Sequence, residues 1–361
     1  MDSVDKIDFA EPYLEIDLKA VKSNFLKLSN LSYPSEVCAV VKADAYGCGM
    51  EKISKTLFYN GCKNFFVAKI QEGIELRNYI SRKCKIFVFD GLTNHDMNIW
   101  DRNNLIPVCN SIKQVKLAVK SNIYCSIHID TGMNRLGIPT DDIKKISEIK
   151  SLKNFKKYVM ILSHFSCSED KNSINNAKQI NKFKSFNHIL KNIPRSLSNS
   201  HGIINFKEAK FQFTRPGIAL YGYLEFKQKI LKPSLSLYAP VLQIKKVKIN
   251  EEIGYGGSFK VKRESIVCIL GIGYADGLKR ILGNKANLLY KNYKVPIIGR
   301  MSMDTTILDI TDLPNNLVTK LKFFPIINKR FGINELAEEC NTIPYEIMTS
   351  FGKRVKRIYK N

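Results

Sequence analysis

A buried strand that ends in a lysine can hold an amine ready for covalent chemistry, and the stretch 40–50, V-V-K-A-D-A-Y-G-C-G-M, has that form. Four apolar residues, Cys38 to Val41, stop abruptly at Lys42, and glycines follow at 47 and 49. At the C-terminal end of a barrel strand such a lysine is a candidate Schiff-base nucleophile. Taken alone it is one of 57 basic residues and would read as an ordinary surface lysine. Other chemistry-bearing residues also fall just past apolar runs: Arg135 in D-T-G-M-N-R-L-G, His164 in S-H-F-S, Asn199 and Ser200, then Arg215 and Gly217 in T-R-P-G-I-A-L-Y-G. A lone histidine is more often structural than catalytic. An amine, two guanidiniums, an imidazole and a serine beside a glycine turn make a different case if they share one rim. Neighbouring cations lower a lysine pKa and favour the free amine that attacks an aldehyde. Backbone N–H groups after the last strands of a barrel bind phosphate. An aldehyde and a phosphate on one cofactor mean pyridoxal 5'-phosphate.

The elements that must bring these residues together are legible as an alternation. Short β-rich runs occur at 37–41, 65–68, 86–89, 106–109, 124–129, 158–163, 196–199 and 211–214. Helical spacing lies between most of them, as at 52–59, 113–120, 142–149 and 174–190, and an amphipathic helix at 18–29 precedes the series. Eight strands with crossover segments are the count of a (β/α)8 TIM barrel, with 196–199 the weakest of the eight. Past about Pro233 the texture becomes alternating and glycine-punctuated, with strand-like stretches such as 243–249 and 295–310 and a short helix near 333–340. The expected organisation is therefore an α/β chain: a barrel over 1–235, then a mostly β C-terminal domain over 236–361.

Composition narrows the class. A chain of 361 residues that is 44% hydrophobic and 25% charged is globular. Its longest nearly apolar run, 266–275, is far short of the ~18 residues a membrane helix needs, and the acidic start with Asp2, Asp5 and Asp8 does not resemble a secretory signal. A cytoplasmic location with no membrane partner is expected. Nine cysteines without a C-x-x-C pair suggest reduced buried thiols and no metal site. The net charge of +24 raises nucleic-acid binding as a function class, but only 12 of the 57 basic residues are arginine and the lysines are dispersed, so compositional bias is the better reading and no specific nucleic-acid partner is expected.

The motifs V-V-K-A-D-A-Y-G-C-G, D-T-G-M-N-R-L-G, S-H-F-S, N-S-H-G, R-P-G-I-A-L-Y-G, G-Y-G-G-S-F, G-Y-A-D-G and G-R-M-S-M-D, in this order across both domains, resemble the successive signatures of bacterial alanine racemases. The resemblance implies that Lys42 carries pyridoxal phosphate as an aldimine and moves the substrate Cα proton on one face. It implies that Tyr46, Ser200 and the amides of Gly217 and Ile218 bind the phosphate, that His164 and Asn199 line the cofactor pocket, and that Arg215 faces the pyridine nitrogen. Guanidinium can only donate, so the ring nitrogen would stay unprotonated and racemisation would be favoured over transamination. Tyr255 would be the second acid/base group, reaching the site from the partner subunit of a homodimer with shared active sites; alone it reads as an ordinary sheet tyrosine. The substrate carboxylate would meet Arg135 and the Met303 amide with Asp304 beside it, and Tyr274 would narrow the entrance. The implied product, D-alanine, would serve peptidoglycan synthesis.

Two positions depart from the family pattern. Many members carry a carbamylated lysine seven residues before the substrate-binding arginine; here that position is His128, which puts alanine specificity in question. A phosphate-contacting tyrosine often precedes an R-V-P-R run near the end; F-G-K-R-V-K-R-I-Y places Lys353 there, and the role is not carried over. Two alternatives share the machinery: a broader racemase acting on serine or lysine, and a non-enzymatic pyridoxal-phosphate carrier, which would resemble the barrel half alone.

Overall fold

The computed structural model describes residues 11–92, 97–148, 152, 155–186, 191–224 and 230–361. The chain enters through β1 (Tyr13–Asp17), whose partners lie more than 200 residues ahead, and continues into the helix Leu18–Ser32. The next strands are β2 (Glu36–Val40), β3 (Asn64–Val67), β4 (Lys85–Val88), β5 (Leu105–Cys109) and β6 (Cys125–Asp130). After the two-residue β7 (Ile138–Pro139) come β8 (Tyr158–Leu162), β9 (Arg195–Ser196) and β10 (Phe213–Thr214). Parallel pairing runs β2-β3-β4-β5-β6-β8-β9-β10 and closes from β10 back to β2, where Phe213 pairs Glu36. This is the expected barrel, and each of its eight strands overlaps one of the eight β-rich runs.

The apolar continuity of these strands follows from burial on both faces. Every residue of β3 and β5 is buried, and the Phe66 and Phe87 rings of adjacent strands stack at 4.5 Å between centroids. The faintest run is also, with β10, one of the two shortest strands of the barrel. In β9 the place of an apolar residue is taken by buried Arg195, whose guanidinium donates to the carbonyls of Phe183 and Phe186, while the Ser196 hydroxyl donates to the Phe213 carbonyl across the ladder. Those bonds satisfy polar groups that a propensity reading counts against a strand. The expected helices 142–149 and 174–190 are seen over Ile143–Glu148 and Ile174–Ser185; residues 149 and 187–190 lie outside the described residues.

The second unit is mostly β. It contains β11 (Leu235–Val247), the pair β12 (Glu252–Ile253) and β13 (Phe259–Lys260), β14 (Ser265–Leu270), the hairpin β15 (Asn287–Tyr290) and β16 (Tyr293–Pro296), β17 (Thr306–Asp309), β18 (Phe323–Ile327) and β19 (Lys356–Lys360). Its main sheet has the order β17-β14-β11-β1-β19, with β18 also on β11. By packing, the chain divides into Ala20–Lys232 and a second body in which Pro233–Asn361 is joined by the segment ending at Lys19. The expected barrel range 1–235 includes that segment. It belongs with the β unit because β1 pairs antiparallel with β11 and parallel with β19, and the Tyr13 and Tyr238 rings stack at 4.9 Å. Strand β11 starts well before the expected 243–249, and the expected short helix is Ile333–Glu339, followed by a second, Pro344–Ser350.

Candidate active site

Strand β2 delivers Lys42 to the C-terminal rim of the barrel, and the backbone then does something unusual. Ala43, Asp44, Ala45 and Tyr46 all have φ between 52° and 58°, one turn of left-handed helix. For residues with a Cβ this conformation costs about 1–2 kcal/mol each. The turn closes its own hydrogen bonds, with Ala45 N–H donating to the Val41 carbonyl at 2.9 Å and Gly47 N–H to Ala43 at 2.8 Å. Gly47 and Gly49, at φ 77° and 88°, then lead the chain into the helix Met50–Tyr59, where Met50 N–H donates to the Asp44 carboxylate at 2.6 Å. Sustained strain of this kind persists where the surroundings over-determine it, and it concentrates at functional sites.

Lys42 is half-buried, with Nζ 5.8 Å from the centroid of the Phe89 ring. Burial, and after it the Arg135 guanidinium, lowers its pKa; Glu72 and Asp90 oppose that shift without cancelling it. A lysine so placed has more free amine at neutral pH than one in water.

Tyr46, at the end of the left-handed turn, is buried with its ring 5.2 Å from that of Tyr221. Its hydroxyl lies against the backbone of Gly217, where a Cβ would come within 2.1 Å of the Tyr46 oxygen. A Cβ there would force the Tyr46 ring to move. Ser200 faces the same loop: its Oγ accepts from Gly217 N–H at 3.0 Å and from Ala219 N–H at 3.3 Å. Ile218 opens the short 3-10 turn Ile218–Tyr221. A phenol, a hydroxyl and amides from the ends of β2, β9 and β10 thus gather at one place, a composition suited to phosphate. The Asn199 side chain caps the helix Ser200–Asn205, accepting from Gly202 N–H at 3.0 Å and from the Ser168 hydroxyl at 2.8 Å.

Arg215 is 2% exposed. One terminal nitrogen donates to the Ser196 hydroxyl, and the other to the carbonyls of Ser163 and Leu197. Its Nε, also buried, has no hydrogen-bond partner among the described residues. A buried N–H without an acceptor is costly, so this donor calls for an acceptor that the described residues do not supply. Burial pushes the Arg215 pKa down to about 10, which leaves it charged at neutral pH.

Burial and that fixed charge together govern the two histidines. Burial and then Arg215 push the His164 pKa well below the usual imidazole range, with Arg135, His128 and Lys42 adding to it. Burial and Arg215 also take His128 down to about 4. Both rings are neutral at neutral pH. The His128 tautomer follows from its neighbour: the Asn110 side-chain amide donates to the Phe89 carbonyl at 2.8 Å, which turns its Oδ1 toward His128 Nδ1 at 2.7 Å. Nδ1 therefore carries the proton and Nε2 the lone pair. Arg135 is exposed on the loop after β6, a loop shaped by the Asp130 carboxylate, which accepts from the N–H groups of Gly132, Met133 and Asn134.

The remaining expected residues lie in the β unit on exposed turns. Tyr255 is 70% exposed, between left-handed Gly254 and Gly256. Tyr274 is 41% and Met303 53% exposed. Their two turns interlock: Tyr274 N–H donates to the Ser302 carbonyl at 3.1 Å and Ala275 N–H to Met303 at 3.0 Å. Arg354 ties them further, donating to buried Asp276 at 2.8 Å and to Asp304 at 2.7 Å. Sequence reasoning passed over Arg354, Asn110 and Glu72. Glu72 alone had a signal, a carboxylate three residues into a helix in the capping-box position.

Comparison with known proteins matches this arrangement over nearly the whole chain. The family model of the alanine racemase N-terminal domain matches residues 16–225, and that of the C-terminal domain matches 234–359. The alanine racemase of Rickettsia rickettsii (strain Sheila Smith) is 36% identical over 352 residues, 96% of this chain and 98% of that protein. A catabolic alanine racemase of Agrobacterium fabrum is 35% identical over 358 residues, 97% of this chain and 92% of that one. Among solved structures, alanine racemase from Bartonella henselae, described with covalently bound pyridoxal phosphate, superimposes with a TM-score of 0.90 at 34% identity, covering 98% of this chain and 100% of its own. Two domain models in tandem and more than one-third identity over 96% of the chain leave one conclusion: this chain belongs to the alanine racemase family.

Proposed function

We propose that this protein interconverts L- and D-alanine with pyridoxal 5'-phosphate, using Lys42 and Tyr255 as the two proton-transfer groups. The observation that carries the reading is Lys42 at the end of β2, its pKa lowered by burial and by Arg135, on the rim that also holds Arg215 and the Ser200–Gly217 loop. The residues present fit the cofactor: the buried and unpartnered Nε of Arg215 calls for an acceptor such as a pyridine nitrogen, and the Tyr46, Ser200 and Gly217 cluster suits a phosphate. When bound, pyridoxal phosphate acidifies the Cα–H of an amino acid by drawing its electrons into the ring.

The protein's own residues do the rest. Lys42 holds the cofactor covalently and, once released, takes or returns the Cα proton on one face. Tyr255 does the same on the opposite face, as inversion requires. Arg215 can only donate, so it keeps the nitrogen in front of it an acceptor and limits electron withdrawal, which disfavours protonation at the wrong carbon. His164, held neutral by burial and by Arg215, would line the cofactor pocket without adding a positive charge. Arg135, the Met303 amide and Asp304 receive the substrate carboxylate, and Tyr274 narrows the entrance. The reading includes a homodimer with shared sites, in which Tyr255, 70% exposed in the single chain, serves the partner's site. The reading takes the enzyme to be cytoplasmic and to supply D-alanine for peptidoglycan; no helix among the described residues is long and apolar enough to cross a membrane.

The second reading, a racemase that also accepts serine or lysine, is favoured by one observation: neutral His128, bound to Asn110, brings no negative charge to the neighbourhood of Arg135. Racemisation of L-serine or L-lysine at rates comparable with L-alanine would decide for it. The primary reading is tested by borohydride reduction of the holoenzyme followed by peptide mapping. The cofactor is expected on the peptide containing Lys42 and absent in Lys42→Ala; a label elsewhere, or none, rejects it.

A further inference from the structure

Glu72 sits at the third position of the helix Ile70–Arg77, and one of its carboxylate oxygens does what that position ordinarily does: Oε2 accepts from Lys69 N–H at 3.0 Å and from Ala68 N–H at 2.7 Å. The other oxygen does something a helix cap does not need. Oε1 accepts from the N–H of Ala43 at 2.6 Å, 29 residues earlier, and so reaches from the turn after β3 to the turn after β2. Ala43 is the residue bonded to Lys42 and the first of the four in left-handed conformation.

That conformation needs an external hold. The internal bonds of the left-handed turn use the N–H groups of Ala45 and Gly47, and Asp44 accepts from Met50 N–H, so the far end of the turn is closed by its own chain. The near end has Ala43 N–H, which in a first helical turn has no partner within the turn. Glu72 supplies it with a charged acceptor at short range, the stronger class of hydrogen bond. The same carboxylate is one of two anions whose field bears on Lys42, the other being Asp90, which is itself paired to Lys69 at 2.7 Å.

We propose that Glu72 is a positioning residue for Lys42: by clamping Ala43 N–H it holds the left-handed turn in the conformation that fixes where the lysine amine stands. It acts through the backbone and has no contact with substrate. The inference rests on the reading of Lys42 as the cofactor-bearing lysine.

The test uses holoenzyme and three substitutions. Glu72→Asp keeps the charge and the capping of Lys69 but is one methylene too short to hold both turns. Glu72→Gln keeps the shape and loses the paired acceptors. Ala43→Gly replaces the strained residue by one that adopts positive φ freely. For each, kcat and KM for L-alanine, the rate at which hydroxylamine strips the cofactor, and the melting temperature are measured. In Glu72→Asp or Glu72→Gln, kcat is expected to fall by about tenfold to a hundredfold, the range set by sub-ångström to ångström misplacement of a reacting group. KM should stay within about twofold, and stripping should be several-fold faster. Adding Ala43→Gly should bring kcat back to within about threefold of Ala43→Gly alone, since glycine needs no clamp. Wild-type kcat and stripping rate in both Glu72 variants overturn the proposal. So does a loss of kcat that glycine at position 43 does not recover, because Glu72 would then serve only the fold. Failure of the underlying reading looks different: Lys42→Ala would still carry borohydride-reducible cofactor.

Discussion

At the scale of single residues, the site is governed by one buried cation. Arg215 is charged, inaccessible to water and held by three oxygens of the barrel, and burial together with its field keeps His128 and His164 neutral. The consequence for stability has a definite sign. The His128 pKa is about 4 in the folded chain and about 6.5 in an unfolded one. Above pH 6.5 neither state binds the proton and His128 contributes nothing to the pH dependence. Between 6.5 and 4 the unfolded chain takes up a proton that the native chain refuses, so stability falls with pH. At pH 5 this amounts to about 2 kcal/mol relative to pH 7. Replacing His128 by glutamine, which can still donate to Asn110, should remove that part of the slope; it is read as the difference between wild type and variant in denaturant midpoints at pH 7 and pH 5. Equal slopes would mean His128 takes up a proton in the native state. His128 was legible in the sequence as a departure from the family pattern, but its tautomer was not. That follows from Asn110, which is brought to it from the adjacent strand, 18 residues away.

At the scale of elements, the barrel strands were readable because burial on both faces makes them runs of apolar residues. What could not be read was how the strands end. Ala43, Ala45 and Tyr46 all disfavour left-handed backbone; only Asp44, a residue that tolerates it, and the glycines that follow hint at an unusual turn. The assignment of strand β1 to the β unit depends on pairing with β11 and β19, and sequence carries no record of partners so distant. The β unit's site residues depend on the fit of two turns. A Cβ on Gly273 would lie 2.3 Å from the Met303 carbonyl oxygen and 2.4 Å from that of Ser302, both backbone atoms that cannot move aside as a flexible side chain would. Gly273→Ala should therefore force apart the turns carrying Tyr274 and Met303, at a cost of about 1–3 kcal/mol. The measurements are the melting temperature and KM for L-alanine, expected to fall by several degrees and to rise at least several-fold. A variant unchanged in both would show that the turns do not depend on this contact.

At the scale of the whole molecule, the order of the two domains was evident from the change in texture near Pro233, and the residues proposed for one reaction are divided between the two bodies. Lys42, Arg215 and the phosphate cluster belong to Ala20–Lys232, whereas Tyr255, Tyr274 and Met303 belong to the β unit and are exposed. If the sites are shared in a homodimer, two inactive variants complement. Lys42→Ala and Tyr255→Phe, unfolded and refolded together in equal amounts, should regain about a quarter of wild-type activity per chain, since half the dimers are mixed and one of their two sites is intact. No recovery would place both groups of one site in the same chain.

The claim on which the account turns is that Lys42 and Tyr255 work on opposite faces of Cα, and solvent deuterium exchange at Cα of L- and D-alanine tests it most directly. The wild-type holoenzyme should exchange both enantiomers, Lys42→Ala should lose covalent attachment of the cofactor together with exchange, and Tyr255→Phe should lose exchange from L-alanine while keeping it from D-alanine. Wild-type protein that carries the cofactor on Lys42 yet exchanges neither enantiomer, or a Tyr255→Phe variant that exchanges both at wild-type rates, would contradict it.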